Sequence, residues 1–430
     1  MNFLIENGKV IDKGNKLIDA DVLVENGKIK AIGANLKTVL ANVEKTFDAQ
    51  GGLITPGLVD VHVHFREPGF EYKETIETGS LAAAHGGYTT VCAMPNLNPT
   101  PDTPERMEKI NKIIQRDAHV KVLQYSTITE NLRSETLVDY PAMTNAGAFA
   151  FTNDGVGVQT AGVMYQAMKE AAKVGKAIVA HIEDESLMFG GVMHEGKRSQ
   201  ELGIPGLLSV VESSQLARDV LLAESTGVHY HACHVSTKES VRVIRDAKKA
   251  GIHVTAEVCP HHLILIDEDI PEDNAVWKMN PPLCAKEDRE ALIEGLLDGT
   301  IDMIATDHAP HSIEEKTGKF VDCAFGIVGS ENAFELMFTN FVEKGIFTLE
   351  QIIDWMAIKP AELFNIPTGK LKIGDTADIA VFDIEKETTI KAEDMESKGS
   401  ITPFIDWKVK GETLMTFVDG KLAWCQPEYK

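Results

Sequence analysis

The six cysteines of this 430-residue chain form no Cys-x-x-Cys pair and no close-spaced framework, which argues against a disulfide scaffold and for reduced thiols. Long apolar runs are missing too: none reaches the roughly 18 residues of a membrane span. Residues 1–10 lack the basic region, apolar stretch and cleavage site of a secretory leader, so the cytosol is the expected location. Positive charge is scarce, with 42 Lys and Arg against 65 Asp and Glu and a formal net charge of -23. With no dense basic run, nucleic acid and anionic membranes are disfavoured as partners. Any anionic ligand must meet a local positive site.

What the chain does have is bulk. Its 43% hydrophobic and 25% charged content suits a large core, with one big domain and a smaller one. Both ends read as short alternating runs broken by turn signals: Phe3-Leu4-Ile5 before Asn7-Gly8, Val22-Leu23-Val24 before Asn26-Gly27, and Leu414-Met415-Thr416-Phe417-Val418 before Asp419-Gly420. These are hairpin patterns. Neither end has enough strands for its own core, so residues 1–55 and 366–430 are expected to pair into one composite small β domain, two separate flaps being the alternative.

Between them, residues 56–365 alternate strand-like and helix-like segments. Strands are expected at 58–64, 89–94, 120–126, 148–152, 177–181, 228–234, 253–259 and 303–307, and helices at 163–174, 213–225, 238–250 and 289–297. Repeated βα units of this number predict an α/β fold of the (β/α)8 barrel type, with chemistry gathered at the C-terminal ends of the strands.

Six residues sit at or just past those ends: His62, His64, Asp154, His181, His234 and Asp307. Alternation along a strand puts His62 and His64 on one face, where two imidazoles can grip one cation. A single histidine is usually a packed or surface residue, but six such coincidences outweigh that. Four imidazoles and two carboxylates suit zinc or a similar divalent ion and exceed the three protein ligands that one catalytic zinc takes, so two ions are plausible. Asp154 is placed to bridge them. No lysine lies between Lys121 and Lys169, so the fourth strand offers no carbamylated lysine and no dependence on bicarbonate is expected. Cys233 beside His234 is expected to be a buried structural thiol, turned away by alternation.

The segments Asp60-Val-His-Val-His-Phe-Arg-Glu-Pro-Gly69, Ala93-Met-Pro-Asn96, Phe151-Thr-Asn-Asp-Gly-Val-Gly-Val158, Val179-Ala-His181, His231-Ala-Cys-His234, Asn280-Pro-Pro282 and Ala305-Thr-Asp-His-Ala-Pro-His311 closely resemble the dihydroorotase family. The resemblance is to its long bacterial type (class I), within the amidohydrolase superfamily. It implies a zinc enzyme that interconverts N-carbamoyl-L-aspartate and L-dihydroorotate in pyrimidine synthesis. It further implies that His62 and His64 hold one metal, His181 and His234 a second, that Asp154 bridges, and that Asp307 is both ligand and catalytic base. Occupancy by one ion or two stays open. A homodimer is implied, and a complex with aspartate transcarbamoylase is left open.

Substrate contacts expected from the same likeness are His64, Arg66, Asn96, Asn280, His311, Phe325 and Gly326. Arg66 has a physical case of its own, since continued extension past His64 would aim its planar fork into the mouth, where it suits a carboxylate. Asn96 and Asn280 have turn-forming or capping as their competing role. The polar segment 312–324 follows the last catalytic strand and is either a lid or an ordinary exposed connection. His261, His262 and His308 are expected to support ligands rather than ligate; His85, His119, His194, His229 and His253, without a visible carboxylate partner, are expected to be structural or superficial.

Two departures from the family pattern stand out: Asn153 where an acidic residue is common, and Cys284 where a basic one is frequent. The second removes a positive charge expected near the mouth. Hydantoinases and allantoinases would share barrel and metals, but typically place lysine at the bridge and lack the His-Phe-Arg-Glu-Pro-Gly run. An inactive scaffold partner of aspartate transcarbamoylase would have lost metal ligands, and every one is present here.

Overall fold

Two parallel sheets form the middle of the chain. Leu58–Val63, Tyr88–Ala93 and Lys121–Gln124 make the first, and Ile178–Ala180, Tyr230–Ala232, Val254–Val258 and Met303–Ile304 the second. This computed structural model describes residues 2–36 and 43–429. Two narrow seams join the sheets into a ring. At one, Phe151 bridges Ser126 on one side and Ile178 on the other; at the other, His308 bridges Val63. The expected strand 148–152 is thus reduced to a bridge at Phe151, yet its backbone bonds to the segments on both sides. Ser126 N donates to Ala150 O (3.0 Å), Thr152 N to Ser126 O (2.9 Å), Phe151 N to Ala177 O (3.2 Å) and Val179 N to Phe151 O (2.9 Å). The architecture is a (β/α)8 barrel with an added, mostly antiparallel mixed sheet.

The expected helices appear at Ala161–Lys173, Val210–Thr226, Lys238–Lys249 and Lys286–Leu297. In the first, Met164, Ala167, Met168 and Ala171 are buried, a three- and four-residue spacing that presents one apolar stripe to the barrel. Thr160 and Thr237 accept from the backbone three residues on and so cap two of them. At the N-terminal end of the barrel, Ala361, Leu363, Phe364 and Ile366 pack on Val59, Val61, Tyr125, Val179 and Met303 and plug the interior.

The added sheet draws strands from both ends of the chain. Its order is Lys421–Cys425, Lys408–Val418, Ile379–Thr389, Leu53–Pro56, Phe3–Asp12, Lys16–Glu25 and Lys28–Gly33, with Lys45–Asp48 also paired to Phe3–Asp12. The ends meet where Ile379 to Phe382 pair antiparallel with Pro56 to Leu53. Phe3 stacks on Phe417 at 4.9 Å, and both belong to a separate apolar core. Asn26-Gly27 and Asp419-Gly420 are two-residue hairpin turns with both residues at positive φ. Asn7-Gly8 is not the turn expected of it. Phe3–Asp12 runs straight through it as one strand, with a register shift between Ile5 and Gly8 and Asn7 at φ 58°; a bulge uses the same left-handed residue that a turn would. Among the described residues no helix is long and apolar enough to cross a membrane.

Candidate metal centre and substrate cavity

The six strand-end residues come together at one rim of the barrel. Asp154 is the hub: its oxygens lie 3.4 Å from His62 Nε2, 3.5 Å from His64 Nε2, 3.6 Å from His181 Nδ1 and 3.8 Å from His234 Nε2. Asp307 Oδ1 is 3.0 Å from His64 Nε2 and 3.3 Å from His62 Nε2. Two groupings with ligand atoms mutually within 4.8 Å follow, His62 with His64 and Asp307, and His181 with His234 and Asp154. All six side chains are buried.

The electrostatics of this cluster call for positive charge at its centre. Burial works against ionised Asp154 and Asp307, but the surrounding imidazoles outweigh it and hold both carboxyls below the usual range. His62 responds in the opposite sense: burial lowers its pKa, yet Glu257, Asp154 and Asp307 lift it well above 6.5. His181 is likewise raised to about 10, burial being overcome by Asp154 and Glu183. His62 Nε2 and Asp154 Oδ1 are buried and have no hydrogen-bond partner. Orphaned nitrogen and oxygen donors facing one another, among imidazoles and ionised carboxylates, fit one or two divalent cations of the zinc type, which would take the place of the imidazole protons.

Several of these residues sit in strained backbone. Arg66, His234 and Asp307 have φ of 61°, 32° and 47°, left-handed conformations that cost a non-glycine residue of order 1–3 kcal/mol each. Two expectations change as a result. Arg66 does not continue the strand; a left-handed turn there, not extension, brings its guanidinium to Pro310 O (3.2 Å) and His311 Nε2 (3.4 Å). Nor does alternation carry Cys233 away from the cluster. The strand ends at Ala232, and the thiol lies within 4.8 Å of the ligand atoms of His62 and Asp154, fully buried.

A cavity of about 190 Å³ opens beside the cluster, lined by His64, Arg66, Asn96, Asp154, His181, His234, Asn280, Asp307, His311, Phe325 and Gly326. Asn96 Oδ1 meets His64 Nδ1 at 2.9 Å, and Asn280 Nδ2 donates to Glu183 Oε2 at 2.7 Å. His311 Nε2 lies 2.7 Å from Phe325 O, and Gly326 N donates to Lys278 O (3.1 Å). Phe325 O and Gly326 N are thus engaged within the chain. A side chain at Gly326, where φ is 134°, would strike Ala309 O at 2.6 Å.

The segment after the last strand is folded, not a free connection. Its short helix Ile313–Lys316 places Glu315 2.8 Å from Lys73. Lys316 Nζ donates to Lys278 O (2.7 Å) and Ala324 O (3.1 Å), while Lys278 Nζ donates to Phe320 O and Cys323 O (2.6 Å). Neither lysine was conspicuous in the sequence.

Supporting residues are only partly as expected. His262 Nε2 is 2.9 Å from Pro281 O, next to Asn280. His308 Nδ1 accepts from Gly329 and Ser330, and its carbonyl accepts from His64 N (2.9 Å). His85 and His194 do have carboxylate partners, Glu331 (2.6 Å) and Asp267 (3.1 Å), both outside the cluster. Glu257 and Glu183 went unnoticed in the sequence: Glu257 Oε1 lies 2.6 Å from His62 Nδ1, and Glu183 Oε2 3.6 Å from His181 Nε2. The signal for Glu257 was a charge inside the run Val254–Val258, all of it buried.

The two departures have local explanations. Asn153 Nδ2 donates to Thr129 Oγ1 (2.8 Å) and Leu132 O (2.7 Å), while Oδ1 accepts from Ile128 N and Thr129 N. A carboxylate there would lose both donors. Cys284 does not line the cavity; it is buried against Pro282 O at 3.3 Å.

A family model described as dihydro-orotase-like matches residues 51–240. A dihydroorotase of Enterococcus faecalis is 68% identical over 426 residues, covering 99% of each chain, and one of Ligilactobacillus salivarius is 61% identical over 429 residues, covering 100% of each. Among solved structures, an L-hydantoinase (dihydropyrimidinase) from Arthrobacter aurescens superposes with a TM-score of 0.86 at 27% identity, covering 98% of this chain and 95% of its own. At such identity over the whole length, this chain belongs to the dihydroorotase family.

Proposed function

We propose that this chain is a metal-dependent dihydroorotase, which reversibly cyclises N-carbamoyl-L-aspartate to L-dihydroorotate in pyrimidine synthesis. The observation that carries the proposal is the hub at Asp154, within 3.4 to 3.8 Å of four imidazoles, on the wall of a cavity that also presents Arg66. His62 and His64 would hold one cation, His181 and His234 a second, with Asp154 between them and Asp307 beside the first. When bound, such cations lower the pKa of a water from about 15.7 towards ~7 and polarise the scissile carbonyl.

In ring opening, water oxygen bonds to the ring amide carbon and the carbon–nitrogen bond breaks. Asp307 accepts the proton of the attacking water and returns it to the departing nitrogen; in cyclisation the same carboxylate works in reverse. Its closeness to His64 and His62 supports this placement. Arg66 pairs with the substrate carboxylate, and Asn96, Asn280, His311, Phe325 and Gly326 shape the pocket around the ring. Zinc as the native ion and a homodimer are supported by the family resemblance, and a cytoplasmic location by cysteines that are all free thiols; association with aspartate transcarbamoylase stays open. We also take residues 1–55 with 366–430 as one domain and 56–365 as the other, a division supported by the pairing of both chain ends in one sheet.

Zinc-loaded protein assayed by ultraviolet absorbance should open L-dihydroorotate and leave hydantoin and allantoin untouched. Turnover of hydantoin in preference would replace this reading with the hydantoinase one.

A further inference from the structure

Glu257 puts a charge inside the barrel wall. It lies within Val254–Val258 and is 0% exposed. Its Oε1 is 2.6 Å from His62 Nδ1 and 3.2 Å from the backbone N of His234, and its Oε2 is 3.0 Å from His231 Nε2. The run continues away from the rim, from His231 Nδ1 to Thr255 Oγ1 (2.8 Å) and from Thr255 Oγ1 to His229 Nε2 (2.8 Å).

Three nitrogens converge on this one carboxylate, two from imidazole rings and one from the backbone. An ionised carboxylate only accepts hydrogen bonds. Both ring nitrogens that face it therefore carry protons, Nδ1 of His62 and Nε2 of His231. Nε2 of His62, the atom that faces Asp154 and Asp307 without a hydrogen-bond partner, is then the nitrogen whose lone pair a cation takes up on displacing its proton. At the other end, His231 Nδ1 accepts from the Thr255 hydroxyl, whose oxygen accepts from His229 Nε2–H. One carboxylate orders every proton along the run.

We propose that Glu257 is the positioning residue of the centre. It holds His62 with Nε2 free for a cation, and through the same oxygen pins the backbone of His234, whose φ of 32° needs an external hold. One side chain thereby sets a ligand of each half of the site. Carboxylates behind metal-bound imidazoles fix tautomer and ring orientation and raise ligand basicity. The inference rests on the metal-centred reading above.

The test is Glu257→Gln in the full chain. An amide offers one acceptor where the carboxylate offers two, so either His62 Nδ1–H or His231 Nε2–H is left facing a donor. Zinc affinity by chelator competition, the visible spectrum of the Co²⁺-loaded protein and the melting point of the metal-free protein are compared with wild type. Zinc affinity is expected to fall 10- to 100-fold with an altered Co²⁺ spectrum. A lowered melting point with unchanged affinity and spectrum means that Glu257 only supports the fold, and overturns the proposal. If Glu257→Gln does not fold, Glu257→Asp keeps both acceptors on a shorter arm and is read the same way, weakened affinity in support and unchanged affinity against. Wild-type protein that binds no zinc sinks the metal reading itself, which separates that failure from this one.

Discussion

His62 Nε2 and Asp154 Oδ1 face each other 3.4 Å apart, both buried and neither hydrogen-bonded. A donor pair in this state is stable only with something cationic beside it. Without a metal that role falls to protons, and the raised pKa values of His62 and His181 express this.

Metal loading should therefore release protons. His62 and His181 hold protons at neutral pH in the metal-free protein, so a cation must displace them. Apparent zinc affinity should rise with pH, and keep rising towards the His181 value of about 10. Titration calorimetry at pH 7 in buffers of different ionisation enthalpy reads the count directly. At least one proton released per site is expected; none would sink this account of the cluster.

Asp307→Asn should separate chemistry from folding. The amide is nearly isosteric but cannot take a proton, so turnover should fall by about 10²- to 10⁴-fold. The melting temperature of the zinc-loaded protein should move little. Near wild-type turnover would remove Asp307 from its role as acid and base.

The segment 312–326 is fastened by Lys278 and Lys316, two buried ammonium groups bonded to carbonyls. Lys278→Met keeps the bulk and removes the donors. Backbone exchange across this segment should quicken, and KM should rise more than kcat falls, because Phe325 and Gly326 lose their hold. Exchange that matches wild type would show that the strap is held by other contacts.

His229 should contribute acid sensitivity. Burial, helped by His231 and His253, lowers its pKa from 6.5 to about 3. The unfolded chain then takes up a proton below pH 6.5 that the folded chain refuses until about pH 3, so stability falls across that window as pH drops. His229→Gln, which can still donate to Thr255, should flatten the decline between pH 7 and 5 in urea unfolding. Parallel declines in the two proteins would place the effect elsewhere.

Much of the centre could be read before any coordinates because its parts are local in character. A short β-type run that ends in His or Asp announces a strand terminus, and barrel geometry places all such termini on one rim. Asp154, His181 and Asp307 were legible in that way. Glu257 was not: its bond to His62 spans 195 positions, and no local pattern distinguishes it from a charge misplaced in a strand. Arg66 was legible as a residue but not as a conformation, since a left-handed turn follows from what packs around it.

Composition, alternation and the spacing of turn residues by themselves determined the barrel, the strand-rich ends and the identity of the six clustered side chains, because these depend on periods of a few residues. Only the tertiary structure decided which atoms face one another: the hub at Asp154, the ordered protons behind His62, the lysine-fastened strap and the bulge at Asn7-Gly8. Those relationships are set by contacts between segments far apart in the chain and by left-handed backbone held in place by its neighbours, neither of which leaves a periodic mark in the residues themselves.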